Sequence, residues 1–233
     1  MGKKFNNQNS IAVLFFCLLF IFGSIAPSFA SSSSILIKVP FTSQAPLGAW
    51  KDQRQQDGCE EAVVAMAMKW VGDENKKFAS LEAEKKDWLL RIIILSEFEK
   101  KKYGEYRDVA LKDINAWLFR DYFKYKNAEI KSVKAAKDII LELEAGNIVL
   151  TPMDGRALNN PNFTAPGPER HMILIKGYDY KTKEFITNDP GTRKGESYRY
   201  SEKVLFEAIR AYPTGYHKPI ESVIKEMIVV HRA

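Results

Sequence analysis

The chain has 233 residues, a formal net charge of +6 and 27% charged residues. Its acidic and basic residues are interspersed rather than gathered into one basic stripe, which indicates a solvated surface and argues against a nucleic-acid partner. The sequence contains no GxxxxGK[ST] phosphate loop, no Cys/His spacing of a metal site and no internal repeat, so we expect neither a cofactor nor a metal.

The N-terminal segment, residues 1–30, has the features of a secretory signal peptide. Two lysines precede an apolar run over residues 11–25, and Ser28 and Ala30 are small residues at the positions that precede a cleavage site. We expect cleavage after Ala30 and a protein that is secreted or held in the cell envelope. The alternative is an uncleaved N-terminal anchor, which would be its contact with the membrane.

Residues 31–233 are predicted to form one domain, because their number suits a single hydrophobic core. The predicted elements of the first half are a strand at 35–39, a loop at 40–58, a helix at 59–71 that is apolar nearly all round, and helices at 80–102, 109–123 and 133–145. The second half changes to short apolar runs, with strands at 147–151, 171–175, 185–187, 197–201 and 226–230 and a helix at 202–212. This order predicts an α+β fold.

Beyond the predicted signal the chain has one cysteine, Cys59, which begins the apolar helix. A helix N-terminus stabilises a thiolate, so Cys59 is a candidate nucleophile. Asp57 and Glu60 have the spacing of an N-cap and its capping-box partner, which would give Glu60 a role in starting the helix. The alternative for Cys59 is a buried, inert thiol on an apolar helix.

Two polar residues lie at the ends of neighbouring predicted strands. His171 opens one strand, and Asp189 follows the next strand after a charged turn. In an antiparallel pair these two positions meet at the same edge of the sheet. Because an imidazole beside a carboxylate can serve as a general base, Cys59, His171 and Asp189 are predicted to act together.

Several short segments, taken in order, resemble the papain-like cysteine peptidases, and in detail the bacteriocin-processing, double-glycine peptidase-like branch with its free-standing relatives. The segments are Val39–Gln44, Gln53, Gly58–Ala62, His171–Asp179 and Asn188–Gly191. The resemblance implies a papain-like fold, with a buried nucleophile helix in an N-terminal helical part packed on an antiparallel sheet. It implies hydrolysis of a peptide or protein substrate through a thioester acyl-enzyme. Cys59 would attack, His171 would be the general base, and Asp189 would orient the imidazole.

The resemblance also indicates where the oxyanion would be held. The family pattern places a glutamine amide six residues before the nucleophile, which is Gln53 in this chain. The backbone N–H of Cys59, left free by helix geometry, would be the second donor. Gln55 and Gln56 are rival donors, since spacing alone does not exclude them.

The sequence departs from the family pattern in two ways. Glu60 and Glu61 follow the nucleophile, where their charges oppose ionisation of the thiol. We nevertheless expect an ion pair with His171 and the helix N-terminus to lower the pKa of Cys59 below its ordinary value. The chain carries no transporter spans and no nucleotide loop of the bacteriocin-processing transporters, so their specificity for a double glycine is not expected here.

Two other classes of function remain open at this stage. One is a different thiol acyl-transfer reaction, either transglutaminase-like or that of a cell-wall amidase, because the order Cys, His, Asp serves those enzymes too. The other is a catalytically inactive peptide-binding module of the same fold.

Overall fold

The computed structural model describes residues 1–2, 33–72 and 77–232. The predicted signal segment, with its cleavage site and Cys17, lies almost wholly outside these residues. Ser32–Ala233 forms one compact unit. Within the described part of the chain, no helix combines the length and the apolar character needed to cross a membrane.

A seven-stranded antiparallel sheet forms the centre of this unit. The strands are β1 Ser34–Leu36, β2 Ala128–Ser132, β3 Ile148–Met153, β4 His171–Asp179, β5 Glu184–Asn188, β6 Tyr198–Ser201 and β7 Glu226–Val230. Their order across the sheet is β2-β7-β3-β4-β5-β6, and β1 pairs with the C-terminal half of β4 beyond the end of β3. The long strand β4 therefore has neighbours on both sides along most of its length.

Helices cover both faces of this sheet. They are α1 Gln53–Gln56, α2 Cys59–Val71, α3 Leu81–Tyr103, α4 Leu111–Ile114, which continues as a π-helix over Asn115–Tyr122, α5 Ala136–Glu144 and α6 Glu202–Ala208. The mixture of helices with an antiparallel sheet is the predicted α+β class.

Strand β4 supplies side chains to two separate cores. Met172 and Leu174 pack in the core that contains α2, α3 and α4, whereas Ile173 and Ile175 pack in the core that contains α5 and α6. This follows from the alternation of side chains along a strand. Because both faces of β4 are covered, the strand is continuously apolar over residues 172–175.

Helix α2 is the most deeply buried helix of the first core. It packs against both β4 and α3, and every residue from Ala62 to Ala67 is buried. A helix enclosed in this way needs apolar residues all round, which is the pattern read from its sequence. Its bounds are those predicted from the sequence.

Other predicted elements differ from the structure for local reasons. Strand β2 was not predicted, because only its first residue, Ala128, is fully buried and the rest is partly or fully exposed. Helix α5 begins later than predicted, since the amide of Val133 still donates to the carbonyl of Lys225 beside β7. Helix α6 ends before the predicted end because Ile209 forms an isolated bridge with Met153. Tertiary pairing thus decides these ends.

Gly177 permits the close approach of β1 to β4. The register between β4 and β5 shifts at Lys176, and a Cβ atom on Gly177 would lie 2.4 Å from the carbonyl oxygen of Ile35. No side chain fits in that space without moving β1. The bulge and the glycine together allow the first strand to join the sheet.

We predict that Gly177→Ala destabilises the fold by about 1–3 kcal/mol, because the added methyl group overpacks the contact with β1. The measurement is the midpoint of urea-induced unfolding, compared at an unchanged dependence of the free energy of unfolding on urea concentration. An unchanged midpoint would show that β1 can move away from β4 at little cost.

Candidate active site

The site begins where helix α2 begins. Gly58 is the N-cap of α2, and Asp57 is the C-cap of the preceding short helix α1, so the predicted capping box at Asp57 is wrong. A Cβ atom on Gly58 would lie 2.3 Å from the carbonyl oxygen of Arg54, which leaves room only for glycine. No side chain caps the first turn of α2. The N-cap residue itself thus offers no side-chain acceptor to the backbone N–H groups beside Cys59.

His171 and Asp189 are in direct contact at one edge of the sheet. Nε2 of His171 lies 2.8 Å from Oδ1 of Asp189, and both side chains are buried. The hairpin of β4 and β5 brings them together, as expected from their positions at the strand ends. With Nε2 directed at the carboxylate, Nδ1 is the ring nitrogen left to exchange a proton with another group.

Two side chains that the sequence analysis missed hold the second carboxylate oxygen. The hydroxyl of Tyr200 donates to Oδ2 of Asp189 at 2.5 Å, and Nδ2 of Asn160 lies 3.4 Å from the same oxygen. Asn160 also donates to the Tyr200 hydroxyl at 2.7 Å. Tyr200 lies on β6 and Asn160 in the loop before β4, and no local pattern in the sequence connects either residue with Asp189.

These bonds keep Asp189 ionised. Burial by itself would raise the pKa of Asp189, but the charge and hydrogen bond of His171, the hydroxyl of Tyr200 and the backbone N–H of Gly191 hold it below its ordinary value. The carboxylate therefore carries the negative charge that a protonated imidazole needs beside it.

Asn188, the residue before Asp189, also carries a polar side chain that could accept from an imidazole, but this side chain points elsewhere. Its Nδ2 donates to the carbonyl of Pro40 at 3.1 Å, and its Oδ1 accepts the backbone N–H of Ser197 at 3.3 Å. The amide nitrogen and the amide oxygen thus both bond to backbone groups and connect separate segments of the chain. Asn188 is therefore a structural residue rather than the partner of His171.

Cys59 and His171 line the same cleft, whose volume is about 830 Å³. The loop at 161–170 forms one part of the wall and residues 191–194 form another. Phe163 of this loop packs edge-on against the imidazole, with 5.3 Å between the ring centroids. A cleft of this size could hold several residues of an extended peptide beside the thiol.

The glutamines of the predicted oxyanion site occupy different environments. Gln53 and Gln56 line the cleft, whereas Gln55 is buried and does not. Nε2 of Gln53 donates to Oδ2 of Asp57. Gln44 also lines the cleft, but its amide nitrogen donates to the carbonyls of Gln55 and Gln56 at 3.0 and 2.7 Å. Gln44 therefore holds the end of α1, while Gln53 bonds within its own helix turn.

The thiol of Cys59 is hydrogen-bonded to its neighbour Glu60. Sγ donates to Oε2 of Glu60 at 2.9 Å, and both residues are buried. Burial, the charge of Glu60 and this hydrogen bond raise the pKa of Cys59 well above its ordinary value. The expectation of a lowered thiol pKa is therefore wrong for this arrangement.

The magnitudes explain this outcome. A helix N-terminus stabilises an anion by up to about 2 kcal/mol, whereas two like charges about 4 Å apart near a protein surface repel by about 4 kcal/mol. Burial is the largest cause of the raised pKa of Cys59, and the charge of Glu60 adds to it against the helix dipole. Glu60 does not cap the helix, since its carboxylate is turned into the protein.

Two more acidic residues are buried behind the thiol. The pKa of Glu61 is raised well above its ordinary value by burial and by the charge of Glu60, and that of Glu99 by burial and by the charge of Glu61. The hydroxyl of Ser96 donates to Glu61 at 2.9 Å. Over the described residues, no group of His, Cys and acidic side chains could hold a metal ion.

Comparisons with known proteins show the family and the fold. The model of the Peptidase_C39 like family matches residues 36–218. The chain belongs to this family. The crystal structure of a Bacillus anthracis protein described as a C39-like peptidase is similar at a TM-score of 0.51 and 13% sequence identity, over 86% of this chain and 98% of that one.

The two findings establish different things. The family match shows that the chain belongs to the C39-like, papain-like family, and the structural similarity, at so low an identity, shows the fold alone. A search of curated proteins finds no match. The family is that of cysteine peptidases, so this C39-like protein has the scaffold of a peptidase.

We predict that Asp189→Asn leaves this C39-like protein folded but lowers peptide turnover by about 100-fold or more, because a neutral amide lacks the negative charge that stabilises the imidazolium here. Turnover should be measured per folded molecule, with folding followed by circular dichroism. Asn188→Ala is the matched control, and it should lower the melting temperature while sparing most of the turnover. If Asn188→Ala lowers turnover far more than Asp189→Asn does, Asn188 is the residue that orients His171.

Proposed function

We propose that this protein is an exported cysteine peptidase that hydrolyses peptide bonds through Cys59, His171 and Asp189. The observation that carries the proposal is the buried pair of His171 and Asp189, which opens onto the same cleft as a cysteine at the start of a helix. Membership of the C39-like family supports the reaction class. Export rests on the signal-like residues 1–30.

The proposed reaction follows from the bonding of the imidazole. Nδ1 of His171 takes the proton of the Cys59 thiol, and the sulfur attacks the carbonyl carbon of the substrate. The imidazolium, held by Asp189, then gives its proton to the leaving amine, and a thioester remains on the sulfur. Water activated by the same imidazole hydrolyses the thioester and restores the thiol.

The developing oxyanion requires hydrogen-bond donors near the sulfur. The backbone N–H of Cys59 and the amide of Gln53 are the proposed donors, because both lie at the cleft and the first turn of α2 has no side-chain cap. For this role the Gln53 amide has to leave Asp57, to which it is bonded in this structure. Substrate binding in the cleft would supply the competing acceptor.

Hydrolysis of a mixed peptide library by the protein without residues 1–30, with Cys59→Ala as the control, tests the reaction class. We expect cleavage that disappears in the control, since an alanine cannot form a thioester. Transfer of an acyl group to an added amine, or cleavage of peptidoglycan without cleavage of peptides, would identify another thiol acyl-transfer enzyme. If Cys59→Ala cleaves peptides as fast as the unaltered protein, Cys59 takes no part in the reaction.

We predict that Gln53→Ala lowers kcat by about 100-fold while KM changes little, because an oxyanion donor acts on charge that exists only in the transition state. Steady-state kinetics on a library-derived peptide provide the measurement.

The controls for this prediction are Gln56→Ala, at the cleft, and Gln55→Ala, away from it. A large fall in kcat with Gln56→Ala and none with Gln53→Ala would move the donor to Gln56. A fall in stability with both kinetic parameters would mean that Gln53 acts through packing.

A further inference from the structure

Glu60 makes contacts that are explained neither by the proposed reaction of Cys59, His171 and Asp189 nor by the predicted capping box. Its side chain is buried and takes part in three hydrogen bonds. Oε1 accepts the hydroxyl of Tyr212 at 2.8 Å and the backbone N–H of Val109 at 3.2 Å, and Oε2 accepts the thiol of Cys59 at 2.9 Å. The carboxylate is thus fixed from two other segments of the chain and turned towards the sulfur.

A carboxylate in this position favours the neutral form of the thiol. When Glu60 is ionised, this hydrogen bond exists only while the sulfur keeps its proton, and a thiolate would face a buried negative charge of the same sign. The proton of Cys59 is therefore directed at Glu60 in this structure rather than at the imidazole.

Other titratable groups surround this contact, and the cation Arg170 lines the same cleft with its Nε 3.7 Å from Oδ2 of Asp108. The titratable groups that act on Cys59 and Glu60 are Glu61 on α2, Glu99 on α3, Asp108 before α4, and Tyr212 after α6. Glu61 and Asp108 oppose a negative charge on the sulfur. Burial raises the pKa of Glu60 to about 7, so above neutral pH, where the thiol titrates, Glu60 is itself charged.

We propose that Glu60 is a catalytic residue that holds the resting nucleophile Cys59 as a neutral thiol and so sets how readily it ionises. This rests on the proposed function in taking Cys59 as the nucleophile. Ionisation then requires the S–H bond to leave Glu60 and the proton to pass to Nδ1 of His171, while the electron pair of that bond stays on sulfur. The resting protein accordingly has no preformed thiolate–imidazolium pair.

Alkylation of Cys59 by iodoacetamide over a range of pH tests this proposal on the full chain. Mass spectrometry of the peptide that contains Cys59 separates its reaction from that of Cys17. In the unaltered protein we expect a single midpoint above the ordinary thiol value of about 8.5. A midpoint at or below that value overturns the proposal, whether or not any variant folds.

The variant Glu60→Gln sharpens the test. The amide oxygen can accept from Tyr212 and Val109 as Oε1 does, while the amide nitrogen would now donate to the sulfur and favour the thiolate. We expect the midpoint to fall by about one pH unit or more. For each pH unit by which the midpoint falls, alkylation at neutral pH should become roughly threefold faster. The fraction of thiolate rises about tenfold per unit, but a thiolate of lower pKa is a weaker nucleophile.

Glu61→Gln is the matched control, since it removes the adjacent buried carboxyl without touching the sulfur. Its midpoint should move less than that of Glu60→Gln. Equal shifts in the two variants, or no shift in Glu60→Gln, would overturn the role of the direct contact.

This readout is separate from peptide hydrolysis. If Cys59 shows the expected midpoints and the protein cleaves no peptide, the proposed function fails while the effect of Glu60 on the thiol stands. If peptides are cleaved and the midpoint of the unaltered protein lies at or below the ordinary value, the peptidase stands and the proposal for Glu60 fails.

Discussion

The packing of helix α2 against strand β4 is the constraint on which the rest of this structure depends. Both elements are buried, and each begins with a residue of the site, Cys59 in the helix and His171 in the strand. Because the two elements are held against each other along their apolar residues, their first residues face one cleft. The hydrophobic core therefore carries out the positioning that the proposed chemistry needs.

A second consequence of this burial is electrostatic. The first turn of α2 carries Cys59, Glu60 and Glu61, and all three are buried. Burial of ionisable groups without cations costs free energy, which a protein avoids by keeping some of them protonated. The thiol and the carboxyls behind it share protons and hydrogen bonds for this reason. The pKa of Asp189, just after β5, is thus lowered by its partners, whereas that of Cys59 at the start of α2 is raised by burial and by Glu60.

The imidazole is fixed on several sides. Asp189 holds Nε2, Phe163 packs edge-on against the ring, and Gly191 lies so close that a Cβ atom there would be 2.9 Å from Cε1 of His171. Asn160, at the base of the cleft loop, bonds to Tyr200 and so connects the cleft wall with the carboxylate. Rotation of the ring is therefore opposed by contacts from three segments, and Nδ1 stays directed away from Asp189.

Local patterns in the sequence were enough to predict a large part of this protein. The α+β class was predicted from the apolar pattern of α2 and from the short apolar runs of the second half. The contact between His171 and Asp189 was predicted from their positions at the ends of neighbouring strands. Such features depend on neighbours in sequence or on one hairpin, whose geometry is regular. Strand β2 and the ends of α5 and α6 depend on distant partners and were missed or misplaced.

The state of the thiol could be decided only by the tertiary structure. The spacing of Asp57 and Glu60 is that of a capping box, and only the fold shows Glu60 turned inward to Tyr212 and Val109, residues 152 and 49 positions away. The bonds of Tyr200 and Asn160 to Asp189 likewise join segments that no local pattern relates. The amino-acid sequence by itself determined which residues could react, because their types and order are local facts. Their protonation depends on burial and on charges brought from elsewhere in the chain, which only the folded structure specifies.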